Sequence, residues 1–480
     1  MLHRLSPGER VLLLAVICIA IFSARPYAGG WNDGSRLAAV ESLAEHGSFI
    51  IDESIFVRVP PDRSPYPPGN ASLAHDGTKD KLLISGHFYS DKSPVPTVAM
   101  AAVAHGLHWL GLPAAAEWPD MFCRLMTIFT SGLAYLLAVI AVLRIGRRVG
   151  LSEGLTLGVA TVFAFGTTAM PYIQAVNNHI LLLAVAAMLF AELLRPVPSM
   201  LVVGTLAGVG YSIDLAAGPM LLVCVVGLVL LTAVMRRGTG WLVLAAAPWL
   251  VLHHILNYFI GGTFGPANGV PEYLAWPGTP FNASNITGGW AHATSWKFVS
   301  YAGDMLVGKK GFLGHNLVLV LPLASLPLLV RTRYRERPIV LMGLAWAFGT
   351  WLLYAATSSN HSGACISIRW FVPLLVPGLL ALIVLLREQP KRFREFQVLA
   401  VGSVIMGIAM ALHGPWALKM VPGYWGIVGV TLLAWIVFRS RKPVEVEAIS
   451  PDPFRLPAYG SKVAGIPVPG GWPAVVEASD

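Results

Sequence analysis

The 480-residue sequence contains few charged residues and few cysteines. Charged side chains make up 12% of the chain, which is about half the share found in soluble globular domains. Hydrophobic residues reach 55% and the mean hydropathy is +0.65, so a chain surrounded mainly by water is excluded. The four cysteines have neither the number nor the spacing of a disulfide framework or a zinc site.

The sequence also lacks a Gly-rich Walker-type loop, which excludes ATP hydrolysis through a P-loop in this chain. No internal repeat and no inverted pair of broken helices is evident, which disfavours a transporter without removing that alternative. The net charge of +9 arises from short clusters of Arg and Lys between apolar runs. Such clusters are typical of the inner side of a membrane protein, and we expect no nucleic-acid partner.

Apolar runs long enough to cross a bilayer predict an all-α polytopic membrane protein with about twelve transmembrane helices. The runs lie near residues 11–24, 122–143, 153–171, 176–194, 199–215, 218–235, 241–260, 312–330, 338–356, 370–386, 396–413 and 422–438. If the further run 94–112 spanned the bilayer, several basic clusters would face outward. We therefore interpret it as an amphipathic helix in the membrane interface.

This topology places both termini in the cytoplasm and the loops 25–121 and 261–311 outside. The long first outer loop then carries interfacial helices over 34–46 and 94–112. We expect a multi-pass plasma membrane protein, in a bacterium an inner membrane protein, with its active site on the outer face. Residues 1–440 form the predicted transmembrane domain, and the Pro-rich cytoplasmic tail 441–480 is predicted to be disordered.

Asp33 belongs to the segment Gly-Gly-Trp-Asn-Asp-Gly-Ser-Arg. It lies at the start of a short predicted helix that ends at Gly47. Two interpretations are open. In the first, Asp33 or Asn32 is simply the N-cap of the helix. In the second, a carboxylate held at the membrane surface acts as a general base and takes a proton from an acceptor hydroxyl or amine.

Asp91 and Lys92 lie in a polar segment directly before the interfacial helix. Lys92 is a candidate partner for a lipid phosphate, and Asp91 is a candidate for orienting Lys92 or helping a metal ion. The alternative is a solvated turn before a helix that begins with proline. Asn178 and His179 stand at the outer mouth of a predicted span, where polar groups at membrane depth favour a functional role.

Two cationic positions depart from the charge pattern of the predicted topology. Lys310 belongs to a Lys-Lys pair immediately before a span on the outer side, which indicates an anionic partner such as a phosphate. Arg369 follows a loop of small residues that would let a ligand approach, and arginine is suited to bidentate phosphate recognition. The alternative is that both side chains only snorkel toward the headgroups.

The motifs Asn-Asp-Gly-Ser-Arg, Tyr-Ser-Asp-Lys-Ser-Pro, Gly-Lys-Lys-Gly-Phe-Leu and Ile-Arg-Trp-Phe-Val-Pro, in this order, span about residues 1–390. In order and topology they resemble the C-type (GT-C) membrane glycosyltransferases, the superfamily of the protein O-mannosyltransferases and the lipid A aminoarabinose transferase. The resemblance implies a GT-C-like fold and maps the catalytic acidic residue that follows the first helix onto Asp33.

The resemblance further implies a sugar donor on a polyprenyl phosphate or diphosphate, with its phosphate held by Lys310 and Arg369 and with Lys92 nearby. Many relatives carry a second acidic residue after the third span, where this chain has Asn177, Asn178 and His179. Metal binding by two carboxylates is therefore disfavoured, and a mixed Asp and His site for a divalent cation stays open as the only cofactor indicated.

We therefore expect an enzyme, a hexosyl- or pentosyltransferase of the cell envelope. It would transfer a sugar from a polyprenyl-phosphate donor to an extracytoplasmic acceptor, which is a glycan, a lipid or a protein. The alternative is a transporter or flippase for a lipid-linked or small anionic solute that uses Asp214, His179 and Arg369 along its pathway.

Overall fold

The computed structural model describes residues 5–282 and 288–440. The described chain is mostly helical, and each predicted apolar run coincides with one or more helices. The predicted cytoplasmic tail 441–480 and a short part of the loop 261–311 lie outside the described residues.

The first quarter of the chain combines helices with one small hairpin. Its elements are α1 (Pro7–Ser23), α2 (Trp31–His46), α3 (Ala71–Asp76), β1 (Lys81–Ile84), β2 (His87–Ser90) and α4 (Pro94–Trp109). The strands β1 and β2 are antiparallel and pair Lys81 with Ser90, so the prediction of an all-α chain is wrong at this hairpin. Helix α2 ends at Gly47 in the left-handed conformation, as predicted.

The middle of the chain is a series of apolar helices joined by short turns. They are α5 (Pro119–Thr127), α6 (Leu133–Val149), α7 (Glu153–Phe165), α8 (Ala169–Tyr172), α9 (Asn178–Leu193), α10 (Met200–Ile213), α11 (Ala217–Leu231), α12 (Ala233–Arg236) and α13 (Thr239–Gly261). A π-helical turn, Ile128–Gly132, joins α5 to α6 without a break in the helical path.

Shorter helices precede the last long ones. They are α14 (Pro271–Leu274), α15 (Ser295–Val307), α16 (Phe312–His315), α17 (Val320–Ala324), α18 (Leu326–Arg331), α19 (Arg337–Thr357), α20 (Leu375–Glu388), α21 (Phe393–His413) and α22 (Tyr424–Ser440). The predicted span 312–330 is thus three short α-helices and a 3-10 turn, Leu317–Leu319. Pro322 and Pro327 lack the N–H that a continuous helix needs.

Five helical stretches in the described part are long and apolar enough to cross a membrane. They are Pro119–Val149, Thr239–Gly261, Arg337–Thr357, Arg369–Glu388 and Pro390–His413. The shorter helices α7, α9, α10, α11 and α22 are also apolar. A multi-pass membrane protein follows from these helices, whereas the number of twelve spans stays a prediction.

Two elements position the residues discussed below. The stretch Arg369–Glu388 packs against α6, α7 and α9, and 89% of its most apolar window is buried. Arg369, in the 3-10 turn that opens this stretch, is therefore held by the helix core. Helix α4 packs against α2, which fixes the first loop, while its place in the membrane interface stays a prediction.

Candidate active site

A cavity of about 1140 Å³ is enclosed by the first loop, the ends of several apolar helices and the connection between α21 and α22. Five of the seven predicted site residues line it: Asp91, Lys92, Asn178, His179 and Arg369. Asp33 and Lys310 are not among the lining residues. Polar residues from four distant parts of the sequence therefore meet around one space, and two of the candidates lie behind its wall.

Lys92 is neutralised by two carboxylates. Its Nζ donates to Asp80 and to Asp91 at 2.7 Å each, and its side chain is 9% exposed. Asp91 also accepts a hydrogen bond from Ser35 Oγ at 3.0 Å. Burial raises the pKa of Asp91, and the Lys92 ammonium opposes that shift. The charge of Lys92 is therefore already compensated, which weakens it as an independent phosphate ligand.

Arg36 is the functional candidate that sequence reasoning missed. It lies in the first turns of α2, lines the cavity and is buried. Its Nε and Nη1 have no hydrogen-bond partner among the described residues. Burial lowers the pKa of Arg36 to about 10, Asp91 opposes this shift, and Arg369 adds to it. A buried guanidinium with free N–H groups next to another cation favours an anion.

The signal that could have identified Arg36 from the sequence is its position relative to Asp33. It lies three residues after Asp33, on the same side of the helix one turn later. Arg36 lies outside the apolar face that Leu37 and Val40 form in the predicted helix, and a polar face is normally solvated. The structure places this face toward the cavity, because the first loop folds over α2 and covers it.

Arg369 is presented by a turn with unusual backbone geometry. His361, Ser362 and Gly363 have consecutive positive φ values of 51°, 61° and 80°, which non-glycine residues adopt at a cost. The turn places Ser362 Oγ where it accepts the Arg369 backbone N–H at 3.1 Å. The Nε of Arg369 is buried and has no hydrogen-bond partner in the described part of the chain.

Lys310 supports this turn from behind. Its Nζ donates to the Gly363 carbonyl at 2.6 Å, and its own carbonyl accepts from Ser367 Oγ and from the Ile368 N–H. The structure therefore places Lys310 in contact with the backbone that carries Arg369 and not at the cavity surface. Its predicted contact with a phosphate requires the Nζ to leave the Gly363 carbonyl.

Asp214 and His179 form a buried polar pair at the cavity wall. Asp214 Oδ1 accepts from Tyr354 Oη at 2.9 Å and from two backbone N–H groups at the start of α11. Asp214 Oδ2 accepts from Asn178 Nδ2 and lies 3.3 Å from His179 Nδ1. Among residues 5–282 and 288–440, no three His, Cys, Asp or Glu side chains are placed to share a metal ion.

Asp33 lies directly behind the cavity wall. Helix α2 begins at Trp31 with Gly30 as its N-cap, so neither Asp33 nor Asn32 is the N-cap residue. The Asp33 carboxylate nevertheless accepts the N–H groups of Gly29 and Gly30 at 2.8 Å each, and that of Trp416 Nε1 at 3.1 Å. All three donors belong to cavity-lining residues.

Burial raises the pKa of Asp33 to about 6, and the hydrogen bonds to its carboxylate oppose that shift. A carboxylate of this kind titrates close to neutral pH, where a general base is most effective. Asp33 thus accepts the backbone N–H groups just before α2, and its raised pKa suits the predicted role of a general base.

Comparisons with known proteins give structural neighbours only. No protein-family model matches the chain, and no curated protein matches it. Similar solved structures are ArnT from Cupriavidus metallidurans bound to undecaprenyl phosphate (TM-score 0.48, 16% identity, 90% of this chain and 77% of that chain) and the same protein in the apo state (0.49, 15%, 90% and 75%).

A further similar structure is the oligosaccharyltransferase of Archaeoglobus fulgidus in the apo form (TM-score 0.42, 11% identity). The similarity covers 88% of this chain and 55% of that chain.

Proposed function

We propose that the chain is a C-type membrane glycosyltransferase that transfers a sugar from a polyprenyl-phosphate donor to an acceptor on the outer side of the membrane. The observation that carries the proposal is the pair Arg36 and Arg369 at one cavity. Nε and Nη1 of Arg36 and Nε of Arg369 are buried and donate to no described residue. A phosphodiester would supply both the negative charge and the acceptor oxygens.

In the proposed reaction, the acceptor oxygen attacks the anomeric carbon of the sugar. The new carbon–oxygen bond forms as the bond to the donor phosphate breaks, and the electron pair leaves with the phosphate. The two guanidinium groups stabilise the charge that develops on the leaving phosphate. The proton of the acceptor passes to a carboxylate, and the configuration at the anomeric carbon is inverted.

We assign the role of base to Asp33, whose pKa of about 6 leaves it mostly ionised at neutral pH. In this proposal Asp33 keeps the hydrogen bond from Trp416 on Oδ2, and the acceptor hydroxyl would meet Oδ1, which accepts from the Gly30 N–H. Asp91 is the competing carboxylate, since it lines the cavity. Its carboxylate is already engaged by the Lys92 ammonium and by Ser35 Oγ, and an acceptor hydroxyl would have to compete with both.

The remaining predicted residues take supporting roles in this proposal. Lys92 fixes Asp91 at the cavity, and Lys310 holds the turn that presents Arg369. Asn178 and His179 line the same wall with Asp214 and would contact the sugar or the phosphate. The donor arrives from the bilayer, which a polyprenyl chain requires, and the acceptor arrives from outside.

Retention of undecaprenyl phosphate by the purified full-length protein tests the anion site. Wild type, Arg36→Ala and Arg369→Ala would be incubated with this lipid in detergent, and the bound lipid would be quantified by mass spectrometry. Loss of a hydrogen-bonded charge partner predicts about 10- to 100-fold weaker retention in each variant. Arg58→Ala is the matched control, because Arg58 belongs to the same loop and its side chain is 71% exposed.

Equal retention in all four proteins, or binding of bulk phospholipid alone, would remove the phosphate site as assigned. Arg369→Lys adds a charge-conserving variant, and we expect it to retain more lipid than Arg369→Ala but less than wild type.

The transporter alternative keeps one specific observation in its favour. Asp214, His179 and Arg369, its three proposed pathway residues, all line the same cavity. Proton-coupled uptake by proteoliposomes that is abolished in Asp214→Asn, in the absence of any sugar transfer, would favour it over the transferase.

A further inference from the structure

The connection between α21 and α22 contributes one wall of the cavity, although it lies beyond the region of the family motifs. His413, Trp416, Ala417, Leu418 and Lys419 all line the cavity. Trp416 is distinguished among them because its side chain contacts both proposed functional groups, the Asp33 carboxylate and the Arg369 guanidinium.

The indole of Trp416 uses its edge and its face for different partners. Its Nε1 donates to Asp33 Oδ2 at 3.1 Å. The Arg369 guanidinium lies over its ring in a cation–π contact, with Cζ 5.5 Å from the ring centroid. The ring of Tyr172 meets the indole edge-to-face with centroids 6.2 Å apart.

Gly29 makes room for the indole. A Cβ added at Gly29 would lie 2.5 Å from Trp416 Cδ1, closer than any side chain tolerates. The same residue donates its backbone N–H to Asp33. The chain before α2 is therefore shaped to let Trp416 approach Asp33.

We infer that Trp416 is a positioning residue that holds the Asp33 carboxylate and the Arg369 guanidinium at a fixed separation across the cavity wall. This inference rests on the proposed function for its catalytic meaning. In an in-line transfer, the base and the phosphate site must keep such a separation, since the reacting carbon lies between them. Because Trp416 contacts both groups with one side chain, it can set this separation without help from other residues.

The two contacts of Trp416 are separable by substitution. Trp416→Phe keeps an aromatic face for Arg369 and removes the N–H that Asp33 accepts. Trp416→Leu removes both. Gly29→Ala displaces the indole without changing it, so it reproduces Trp416→Leu if the contacts matter and gives a second variant if Trp416→Leu does not fold.

The contact with Asp33 is measured by thermal unfolding of the full-length protein in detergent at pH 5 and pH 8. The hydrogen bond is stronger to the ionised carboxylate, and Asp33 changes its charge at about pH 6. Trp416→Phe should therefore lower the melting temperature more at pH 8 than at pH 5, by about 2–4 °C. In an Asp33→Asn background this pH-dependent part should vanish.

The contact with Arg369 is measured with undecaprenyl phosphate as the probe. Trp416→Leu and Gly29→Ala should retain about ten-fold less of this lipid, and Trp416→Phe should retain nearly as much as wild type. Trp351→Phe is the control, because the indole N–H of Trp351 donates to the Ala302 carbonyl and Trp351 does not line the cavity.

An equal loss of melting temperature at both pH values, unchanged by Asp33→Asn, would reduce Trp416 to a packing residue and overturn the inference. Equal retention of the lipid by Trp416→Leu and wild type would overturn the Arg369 half of it. If wild type itself retains no undecaprenyl phosphate, the proposed function fails, while the coupling between Trp416 and Asp33 is still measured by unfolding.

Discussion

At the scale of single residues, helix α2 carries two buried carboxylates with different surroundings. Asp33 accepts three N–H groups at the cavity wall, whereas Glu41 accepts Ser54 Oγ at 2.5 Å and the Ile55 N–H away from it. Burial raises the pKa of both, to about 6 and about 8. The two groups therefore titrate in separate pH ranges and make separate predictions.

For Asp33 the prediction concerns the rate of sugar transfer. A base must be ionised, so kcat/KM should fall as pH drops through about 6, well above the 3.8 of an ordinary Asp. Asp33→Asn should lower kcat/KM by about 10²- to 10⁴-fold and abolish this acid limb. The measurement is the pH profile of transfer between pH 4.5 and 8. If Asp91→Asn abolishes the limb and Asp33→Asn does not, Asp91 is the base.

For Glu41 the prediction concerns stability. Because its folded pKa is raised to about 8, its contribution is fully present at low pH and is lost as pH rises through 8. Between pH 7 and 9, wild type should lose about 1 kcal/mol of unfolding free energy relative to Glu41→Gln. Thermal unfolding at both pH values measures it, with Glu117→Gln at an exposed position as control. An equal loss of unfolding free energy in wild type and in Glu41→Gln would contradict the raised pKa of Glu41.

The sequence predicted five of the residues that line the cavity but not their partners. Asn178 and His179 were found because polar groups at membrane depth are rare. Arg369 was found because it departs from the charge pattern of the topology, and Asp91 and Lys92 because their polar segment leads into the predicted interfacial helix. Arg36 was missed, since amphipathicity does not distinguish a solvated face from one that a distant loop covers. The contact of Trp416 with Asp33 joins residues 383 positions apart, which no local pattern reports.

At the scale of helices, close packing explains where small residues occur. Gly204 and Gly208 lie one turn apart on α10, and an added Cβ would reach the Leu242 carbonyl oxygen at 2.3 Å and the Ala246 carbonyl oxygen at 2.8 Å on α13. This small-xxx-small pattern brings two backbones together, as in many membrane helix pairs. It also holds α13, whose His253 meets Ser93 before α4.

Gly208→Ala should therefore destabilise the protein by about 1–3 kcal/mol, because the α10 and α13 backbones must separate. Gly227→Ala on α11 is the matched control, since nothing lies within 4 Å of its added Cβ. We expect it to be neutral or stabilising by up to about 1 kcal/mol. The measurement is thermal unfolding in detergent, and equal losses in both variants would contradict the packing argument.

Helix positions were more predictable than helix breaks. Apolar runs locate the helices because the whole surface of each helix must be buried in the protein or exposed to lipid. The breaks within 312–330 depend on Pro322 and Pro327, and proline is tolerated in many membrane helices when neighbours satisfy the backbone. The hairpin of β1 and β2 was missed, since each strand is only four residues long and lacks a strong alternating pattern.

At the scale of the whole molecule, transfer to an acceptor outside the membrane requires the cavity loops to face outward. Ser295→Cys, at the start of α15, should react with a membrane-impermeant maleimide added to intact cells. Ser152→Cys, before α7, should react only after the membrane is broken. Both positions are exposed, so access depends on the side of the membrane, and the four native cysteines set the background. The reverse labelling pattern would invert the topology.

The transferase and the transporter differ in what happens to the donor. A transferase consumes a lipid-linked sugar and leaves the bare lipid phosphate, whereas a flippase only moves it across the bilayer. The cavity has the charge for either, because the guanidinium groups of Arg36 and Arg369 line it and suit an anion in both cases. The amount of intact donor in the membrane therefore separates the two.

The most direct measurement is mass spectrometry of the lipid-linked sugar pool in cells whose own copy of the gene is replaced by wild type, Asp33→Asn or Arg369→Ala. If the protein is the proposed transferase, a polyprenyl-phosphate sugar accumulates in both variants and the acceptor loses the same sugar. An unchanged lipid-linked pool and an unchanged acceptor in both variants would contradict the proposed transfer.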